Sequence, residues 1–213
     1  MKKQVQKMLI NFDYDGVIVD SFDELLDIAI RASEEFPASR KPAKEDFHSI
    51  ENLTFLDLGQ LIGLNGDDAK QYSDAVFSEQ KKSWSVSLFP TIAEVFSELS
   101  KYHTLVVITA SESQVVSENL TALGIRDTIT KVLGGELGLS KSDRIDMVCK
   151  ELGFEKCETL MVGDAISDIR QGKLANVTTV AVTWGFQDKQ LLAREQPDFQ
   201  ISEPAELLEI YPK

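Results

Sequence analysis

Short runs of consecutive apolar residues, each followed by turn chemistry and then an amphipathic helical pattern, constrain the fold of this 213-residue chain most strongly. Leu105-Val106-Val107-Ile108 is apolar throughout and ends at Thr109. Leu160-Met161-Val162 stops at Gly163-Asp164, and Thr179-Val180-Ala181-Val182 ends shortly before Trp184-Gly185. The first run, Met8 to Phe12, is bounded by Asp13 and Asp15-Gly16. A strand with one wet face alternates apolar and polar residues. These runs do not, so both of their faces are expected to be buried, as in a parallel sheet covered by helices. Thr130 to Leu133 reads as a weaker strand and Phe199 to Ile201 as a short edge strand. Between the runs lie helical stripes: Ile92, Val95, Phe96 and Leu99; Val116, Leu120 and Leu123; Ile145, Val148 and Leu152. The alternation predicts an α/β protein with a Rossmann-like three-layer core and a parallel sheet.

The pattern breaks between the first strand and Pro90. Ser21 to Glu24 reads as a capping box, followed by a stripe of Phe22, Leu25, Leu26, Ala29 and Ile30. Pro37 and Pro42 frame a loop. Residues 43–85 hold no convincing strand and read as short helices punctuated by Gly59, Gly63 and Gly66, with Tyr72, Ala75 and Val76 on one face. The expected division is an α/β catalytic core, residues 1–17 and 87–213, and an inserted all-α cap domain, residues 18–86. Thr91 to Glu94 reads as a second capping box, and Ser111 to Gln114 as the cap of the helix that follows.

Lys and Arg total 22 against 35 Asp and Glu, a formal net charge of −13. That balance argues against nucleic acid, whose phosphates need a positive surface, and against anionic membrane surfaces. It leaves room for a small anionic substrate in a locally positive pocket. No run approaches the ~18 apolar residues of a membrane span. The opening Met1-Lys2-Lys3 precedes an apolar stretch broken by Asn11 and Asp13, which reads as a strand and not a signal peptide. Cys149 and Cys157 lack C-x-x-C or zinc spacing, so reduced thiols and a cytoplasmic location are expected.

In open parallel sheets, ligands bind at the carboxyl ends of the strands. The chain places there Asp13-Tyr14-Asp15-Gly16, Thr109-Ala110-Ser111 and Gly163-Asp164-Ala165-Ile166-Ser167-Asp168, with Lys141 at the start of a helix. Each piece alone has a plain explanation. Asp and Gly make turns, acids suit a helix start, a hydroxyl after a strand is a cap, and a lysine is a solvated charge. Their joint occurrence suits phosphoryl transfer through a carboxylate nucleophile. A phosphate dianion repels such a group by about 4 kcal/mol per charge pair at ~4 Å and an effective dielectric of 20. Mg²⁺ on hard oxygen ligands is the natural remedy. Asp13 and Asp164 suit that role, and Asp168, expected on the same helical face as Asp164, would orient the metal shell. Thr109 and Ala110, with the backbone amides that follow, can cradle phosphate, and Lys141 adds charge. Asp15 is then free to act as acid and base, which needs a raised pKa that neighbouring carboxylates would favour.

These residues resemble the haloacid dehalogenase-like superfamily, whose four motifs match in order: Asp13-x-Asp15-Gly16-Val17, Thr109, Lys141, and Gly163-Asp164-x-x-x-Asp168. The resemblance implies that Asp13 is the nucleophile and carries an aspartyl-phosphate. It implies that Asp15 is the acid/base and lends its backbone carbonyl to Mg²⁺, that Thr109 and Lys141 bind phosphate, that Asp164 ligates Mg²⁺ and that Asp168 supports the metal site. Dehalogenase members lack the second acid, so Asp15 points to phosphate chemistry. Asp13 to Ser21, Phe89-Pro90 and Trp184-Gly185 look like the helical-cap branch, which includes phosphoglycolate phosphatase-like and β-phosphoglucomutase-like enzymes. Ala110-Ser111 after the second motif looks nearer the phosphoglucomutase type. The expected function is a Mg²⁺-dependent phosphatase of a small phosphorylated metabolite. The alternatives are a phosphomutase on sugar phosphates, a receiver-like signalling domain and a non-catalytic binding protein. The insert is expected to cover the site, with Arg40 and Lys41 contacting the far end of the substrate.

Overall fold

The structure is a computed structural model that describes residues 6–50, 54–82 and 85–210. The chain opens with β1 (Leu9–Phe12), a two-residue β2 (Val19–Asp20), then helices α1 (Phe22–Ser33), α2 (Lys44–Ser49), α3 (Phe55–Leu61) and α4 (Gly66–Lys82), and a short β3 (Ser87–Leu88). Strands and helices then alternate: α5 (Ile92–Leu99), β4 (Thr104–Ile108), α6 (Ser113–Ala122), β5 (Lys131–Leu133), α7 (Lys141–Leu152) and β6 (Thr159–Gly163). The last elements are α8 (Ile166–Leu174), β7 (Thr178–Val182), α9 (Lys189–Arg194), β8 (Phe199–Ile201) and α10 (Leu207–Ile210).

Six strands form one sheet in the order β5-β4-β1-β6-β7-β8, every pair parallel. Residues 9–12 of β1 lie opposite residues 104–107 of β4 on one side and 159–162 of β6 on the other. The chain winds outward from β1 to β4 and β5, then returns to β6 and winds the other way. The switch point, where such sheets open a crevice, therefore lies at the carboxyl ends of β1, β4 and β6.

The apolar runs are buried on both sides, as their composition requires. Ile10, Phe12, Val107 and Val162 pack with Val95 and Phe96 of α5 and Val116 of α6, and the Phe12 and Phe96 ring centroids are 4.6 Å apart. Leu9, Val106, Ile108 and Met161 face the opposite layer with Ile145 and Val148 of α7. The helices between Phe22 and Lys82 gather around a separate cluster, including Leu25, Ile28, Leu58, Tyr72 and Val76. Phe186, from the loop after β7, joins that cluster and ties it to the sheet. Val17, Ile18 and Val19 still pack with the sheet, and β2 pairs antiparallel with β3 beneath the helices.

Three local expectations differ from the structure. Gly59 does not punctuate a helix; it lies inside α3, where an added Cβ would stand 2.9 Å from the Tyr72 ring, so its small size lets α3 press onto α4. Thr91 adopts a left-handed backbone (φ 66°) and its side chain makes no cap bond. Ser21 precedes α1 and likewise makes no cap bond; its hydroxyl donates to Asp15 Oδ1 at 2.8 Å. Among the described residues no helix is long and apolar enough to cross a membrane. Cys149 is buried, Cys157 is exposed, and both are free.

His103, in the turn before β4, is buried, and its Nδ1 accepts from the Met8 backbone N–H at 3.2 Å. Burial pushes its pKa below the ordinary imidazole value. The unfolded chain then takes up a proton that the folded one refuses, so this residue's contribution to stability is present above about pH 6.5 and is lost as pH falls below it. His103→Gln is expected to flatten that part of the wild-type stability profile between pH 7 and 5, measured by urea unfolding. Parallel profiles for the two proteins would contradict the assignment.

Candidate active site

Each of the three central strands delivers one group to the switch point. Asp13 follows β1, its backbone N–H held by the Val162 carbonyl at 2.9 Å. Its Oδ1 accepts from the Tyr14 N–H at 2.8 Å, and its Oδ2 lies 2.8 Å from Lys141 Nζ. Lys141 is the first residue of α7, behind a Ser140 cap that accepts from the Asp143 N–H. Its ammonium also reaches Asp168 Oδ1 at 2.5 Å. Asp168 is fully buried in the first turn of α8, where its Oδ2 accepts from the Ala165 N–H at 3.1 Å.

Asp164 stands at the end of β6, outside α8, so it does not share a helical face with Asp168 as the four-residue spacing implied. The strand end supplies one acid and the helix start the other, and the turn between them folds the two together. Carboxylate oxygens of Asp13, Asp164 and Asp168 all lie within 4.8 Å of one another. Asp164 Oδ2 accepts from the Phe186 N–H at 2.7 Å. Backbone closes over this carboxylate from two sides. A Cβ on Gly16, which has a φ of +75°, would fall 2.1 Å from Asp164 Oδ2, and one on Gly185 would fall 2.4 Å from it. Neither position accommodates a side chain.

The charges at this point do not balance. Burial alone would depress the Lys141 ammonium, but Asp13 and Asp168 outweigh it and hold the group above the ordinary lysine value. One ammonium serves three carboxylates. Burial, then Asp168 and Asp13, push the Asp164 carboxyl well above the usual range. Burial raises Asp168 to about 6, although Lys141 opposes the rise. Crowded, buried carboxylates with raised pKa values are what a cation would relieve. Three hard oxygen donors and no sulfur or imidazole fit Mg²⁺ better than a softer metal.

Asp15 stands apart from that cluster. Its Oδ1 accepts from Ser21 Oγ at 2.8 Å and its Oδ2 from Ser111 Oγ at 2.9 Å. The two serines read as helix caps in the sequence are therefore bound to a carboxylate instead. Burial is the largest cause of the raised Asp15 pKa, about 6, with Asp13 second; the two serine hydrogen bonds and Lys141 hold it down. Neighbouring charge, the cause expected from sequence, is the smaller one.

Thr109 is buried at the end of β4, and its Oγ1 accepts from the Ser111 N–H at 3.0 Å. That leaves its own O–H free to donate into the crevice. Ala110 lies beside it on the cavity wall. Arg144 supports the same strand ends from α7, donating to the carbonyls of Thr109 at 2.5 Å and Leu133 at 3.0 Å. Sequence reasoning missed Arg144 and also Gln187, whose Oε1 accepts from the Ile166 N–H and whose Nε2 donates to the Ile50 carbonyl, each at 2.6 Å. Gln187 thereby joins the start of α8 to the end of α2. Trp184 packs at the edge of the site, its Nε1–H donating to the Val17 carbonyl at 3.2 Å.

Asp13, Asp15, Thr109, Lys141, Arg144 and Asp164 floor a cavity of about 560 Å³ whose opposite wall comes from α1 to α4. Arg40 and Lys41 do not reach it. Two guanidinium nitrogens of Arg40 bind the Asp46 carboxylate at 2.6 and 2.7 Å, and Lys41 pairs with Glu34 at 2.9 Å. Ion pairs within the helical region hold both side chains, and neither lines the cavity. The cavity lining gives no support to the expectation that they touch substrate.

The parallel sheet thus carries an acid cluster, a lysine and a separately held carboxylate at its switch point, and comparison with known proteins gives the class. The model of the haloacid dehalogenase-like hydrolases matches residues 10–182. The chain belongs to that family and is an enzyme of its phosphatase group. The phosphoglycolate phosphatase of Synechococcus elongatus is 26% identical over 203 residues, spanning 94% of this chain and 95% of its own. Pyrophosphatase PpaX of Bacillus velezensis is 24% identical over 211 residues, spanning 94% of each. Among solved structures, a haloacid dehalogenase-like hydrolase from Streptococcus pneumoniae shares the fold with a TM-score of 0.87 at 21% identity, over 97% of this chain and 99% of that one.

Proposed function

We propose that the protein is a cytoplasmic, Mg²⁺-dependent phosphatase that hydrolyses a small phosphorylated metabolite through a phosphoryl group carried on Asp13. The observation that supports this most is the division of carboxylates. Asp13 sits in the cation-demanding cluster beside Lys141, whereas Asp15 is held separately by two serines with its pKa near 6. Asp13, Asp164 and the Asp15 backbone carbonyl would hold the metal, supported by Asp168, and the metal would supply the positive charge that offsets repulsion between Asp13 and the substrate. Thr109, the amide of Ala110 and Lys141 would hold the phosphate oxygens. Asp13 attacks phosphorus as the bond to the leaving oxygen breaks, and protonated Asp15 gives its proton to that oxygen. Ionised Asp15 then takes a proton from water as the water oxygen attacks phosphorus. The bond to Asp13 breaks and inorganic phosphate is released. Residues 18–86 act as the cap that closes the cavity against bulk water.

The test is inorganic phosphate release from a panel of phosphorylated metabolites in the presence of Mg²⁺. Turnover of none of them would defeat the proposal, and isomerised sugar phosphate without phosphate release would replace it with a mutase. A further prediction concerns Asp15. Ser111→Ala removes a hydrogen bond that favours the ionised form, so the Asp15 pKa rises further and the step needing its ionised form weakens. The acidic limb of the pH–rate profile is expected to move upward by about one pH unit, the worth of one hydrogen bond to a charged group, with kcat down about tenfold on that limb and about twofold at pH 7. An unmoved profile at full rate would remove Ser111 from the mechanism.

A further inference from the structure

We infer that the alcohol half of the substrate is uncharged and largely apolar: the cavity suits a phosphate monoester of an aryl or branched alkyl alcohol, not one carrying a carboxylate or a second phosphate. This deepens the phosphatase reading and rests on it.

The wall facing the acid cluster is built from Leu25, Phe47, Phe55, Leu56, Phe77 and Phe186. The Phe55 and Phe77 rings meet edge to face with centroids 5.3 Å apart. Leu56 and Phe77 are large apolar side chains left 40% and 38% exposed at the cavity, a surface that an apolar leaving group would cover and a carboxylate would not. Polar groups on this side are neutral, such as Ser73 and Gln80, or acidic, as Asp57 is.

Among the described residues only two cations line the cavity, Lys141 and Arg144. Both stand on the floor and both are engaged. Lys141 is held between Asp13 and Asp168, and Arg144 by two backbone carbonyls. In the helical region, Arg40 and Lys41 pair with Asp46 and Glu34, and Lys44 Nζ lies 4.8 Å from the Phe22 ring centroid; none of the three lines the cavity. A second anion on the substrate would lose water against apolar side chains, near Asp57, with no described counter-ion to meet it. The volume, about 560 Å³, falls in the ordinary range of small-molecule sites, ~300–1,000 Å³, and leaves room beyond the phosphate.

Steady-state kcat/KM with Mg²⁺ for phenyl phosphate, 2-phosphoglycolate and pyrophosphate tests this. Phenyl phosphate is expected to exceed each of the others at least tenfold. A kcat/KM for phosphoglycolate or pyrophosphate equal to or above that of phenyl phosphate overturns the inference while leaving the phosphatase reading intact. Should neither these three nor any compound of the metabolite panel release phosphate, the phosphatase reading fails instead. Calorimetric binding of the same three compounds to the Mg²⁺-loaded protein then decides the inference, which is overturned if phenyl phosphate binds no more tightly than phosphoglycolate. Leu56→Arg, at a half-exposed position that tolerates a long polar side chain, adds the missing cation. It is expected to narrow the phenyl phosphate to phosphoglycolate ratio about tenfold, and an unchanged ratio counts against the inference.

Discussion

Asp13→Asn is expected to lower kcat by at least about 10³-fold while leaving the metal-free protein at least as heat-stable as the wild type. The rate loss follows from removing the nucleophile, since an amide oxygen does not form the phosphoryl ester; deletions of this kind in other enzymes cost about 10³–10⁶. The stability result follows from the charge count at the switch point. Asp13 raises the pKa of Asp164 and of Asp168, so its charge opposes theirs. Neutralising it relaxes two buried neighbours and leaves Lys141 paired with Asp168 at 2.5 Å. The amide is nearly isosteric; its one oxygen keeps either the Tyr14 N–H or the Lys141 Nζ contact, and the relief of repulsion at Asp164 and Asp168 offsets the contact given up. Lost activity with retained or increased melting temperature is the signature of a residue kept for chemistry at a cost to the fold. A variant that turns over at the wild-type rate, or loses activity only because it unfolds, would remove Asp13 as nucleophile.

Removal of divalent metal with EDTA should have an effect of similar size on rate. A phosphate approaching Asp13 then meets uncompensated repulsion of about 4 kcal/mol per charge pair at close range, equivalent to roughly 10³ in rate. Stability should respond to pH in a direction unusual for acids. Asp15 and Asp168 have folded-state pKa values near 6 and Asp164 is raised well beyond the usual range, against about 4 in an unfolded chain. Between those values the folded state holds protons that the unfolded state has released. Stability contributed by these groups therefore falls as pH rises from about 4 through 6. In EDTA the protein is expected to melt at a higher temperature at pH 5.5 than at 7.5, less the opposing contribution of His103. Mg²⁺ at pH 7.5 should reverse the loss, by about 2.7 kcal/mol at a hundredfold excess over its dissociation constant. Full activity in EDTA, together with a melting temperature indifferent to Mg²⁺, would contradict the assigned metal site.

The six-stranded parallel sheet and the groups at its carboxyl edge were legible because their causes are local. A strand buried on both faces must be apolar at every position, and Leu105 to Ile108 or Leu160 to Val162 admit no other reading within an alternating chain. The topological rule for open sheets then brings Asp13, Thr109 and Asp164 together, whatever the details of packing. Lys141 was harder to judge, since a cation at a helix start opposes the dipole; the carboxylates of Asp13 and Asp168 in front of that helix supply the reason it stands there.

Where the sequence misled, the partner a side chain meets in the fold is not the one its position suggests. Ser21 and Ser111 have the residue type and position of helix caps. Both donate their O–H to the Asp15 carboxylate instead, and α1 and α6 begin without a side-chain cap bond. Ser111 lies 96 positions from Asp15, and Gln187 lies 137 from the Ile50 carbonyl it binds. No periodicity carries information over such separations. Arg40 and Lys41 looked available because they are basic and lie in a proline-framed loop, yet Asp46 and Glu34 neutralise them. The sequence by itself thus determined the sheet, the family and the acids at its edge, because strand burial and strand ends are properties of contiguous residues. Only the tertiary structure decided which hydroxyls clamp Asp15, which cations are already bound, and that the cavity wall opposite the acids is apolar, because each depends on groups brought together across the chain.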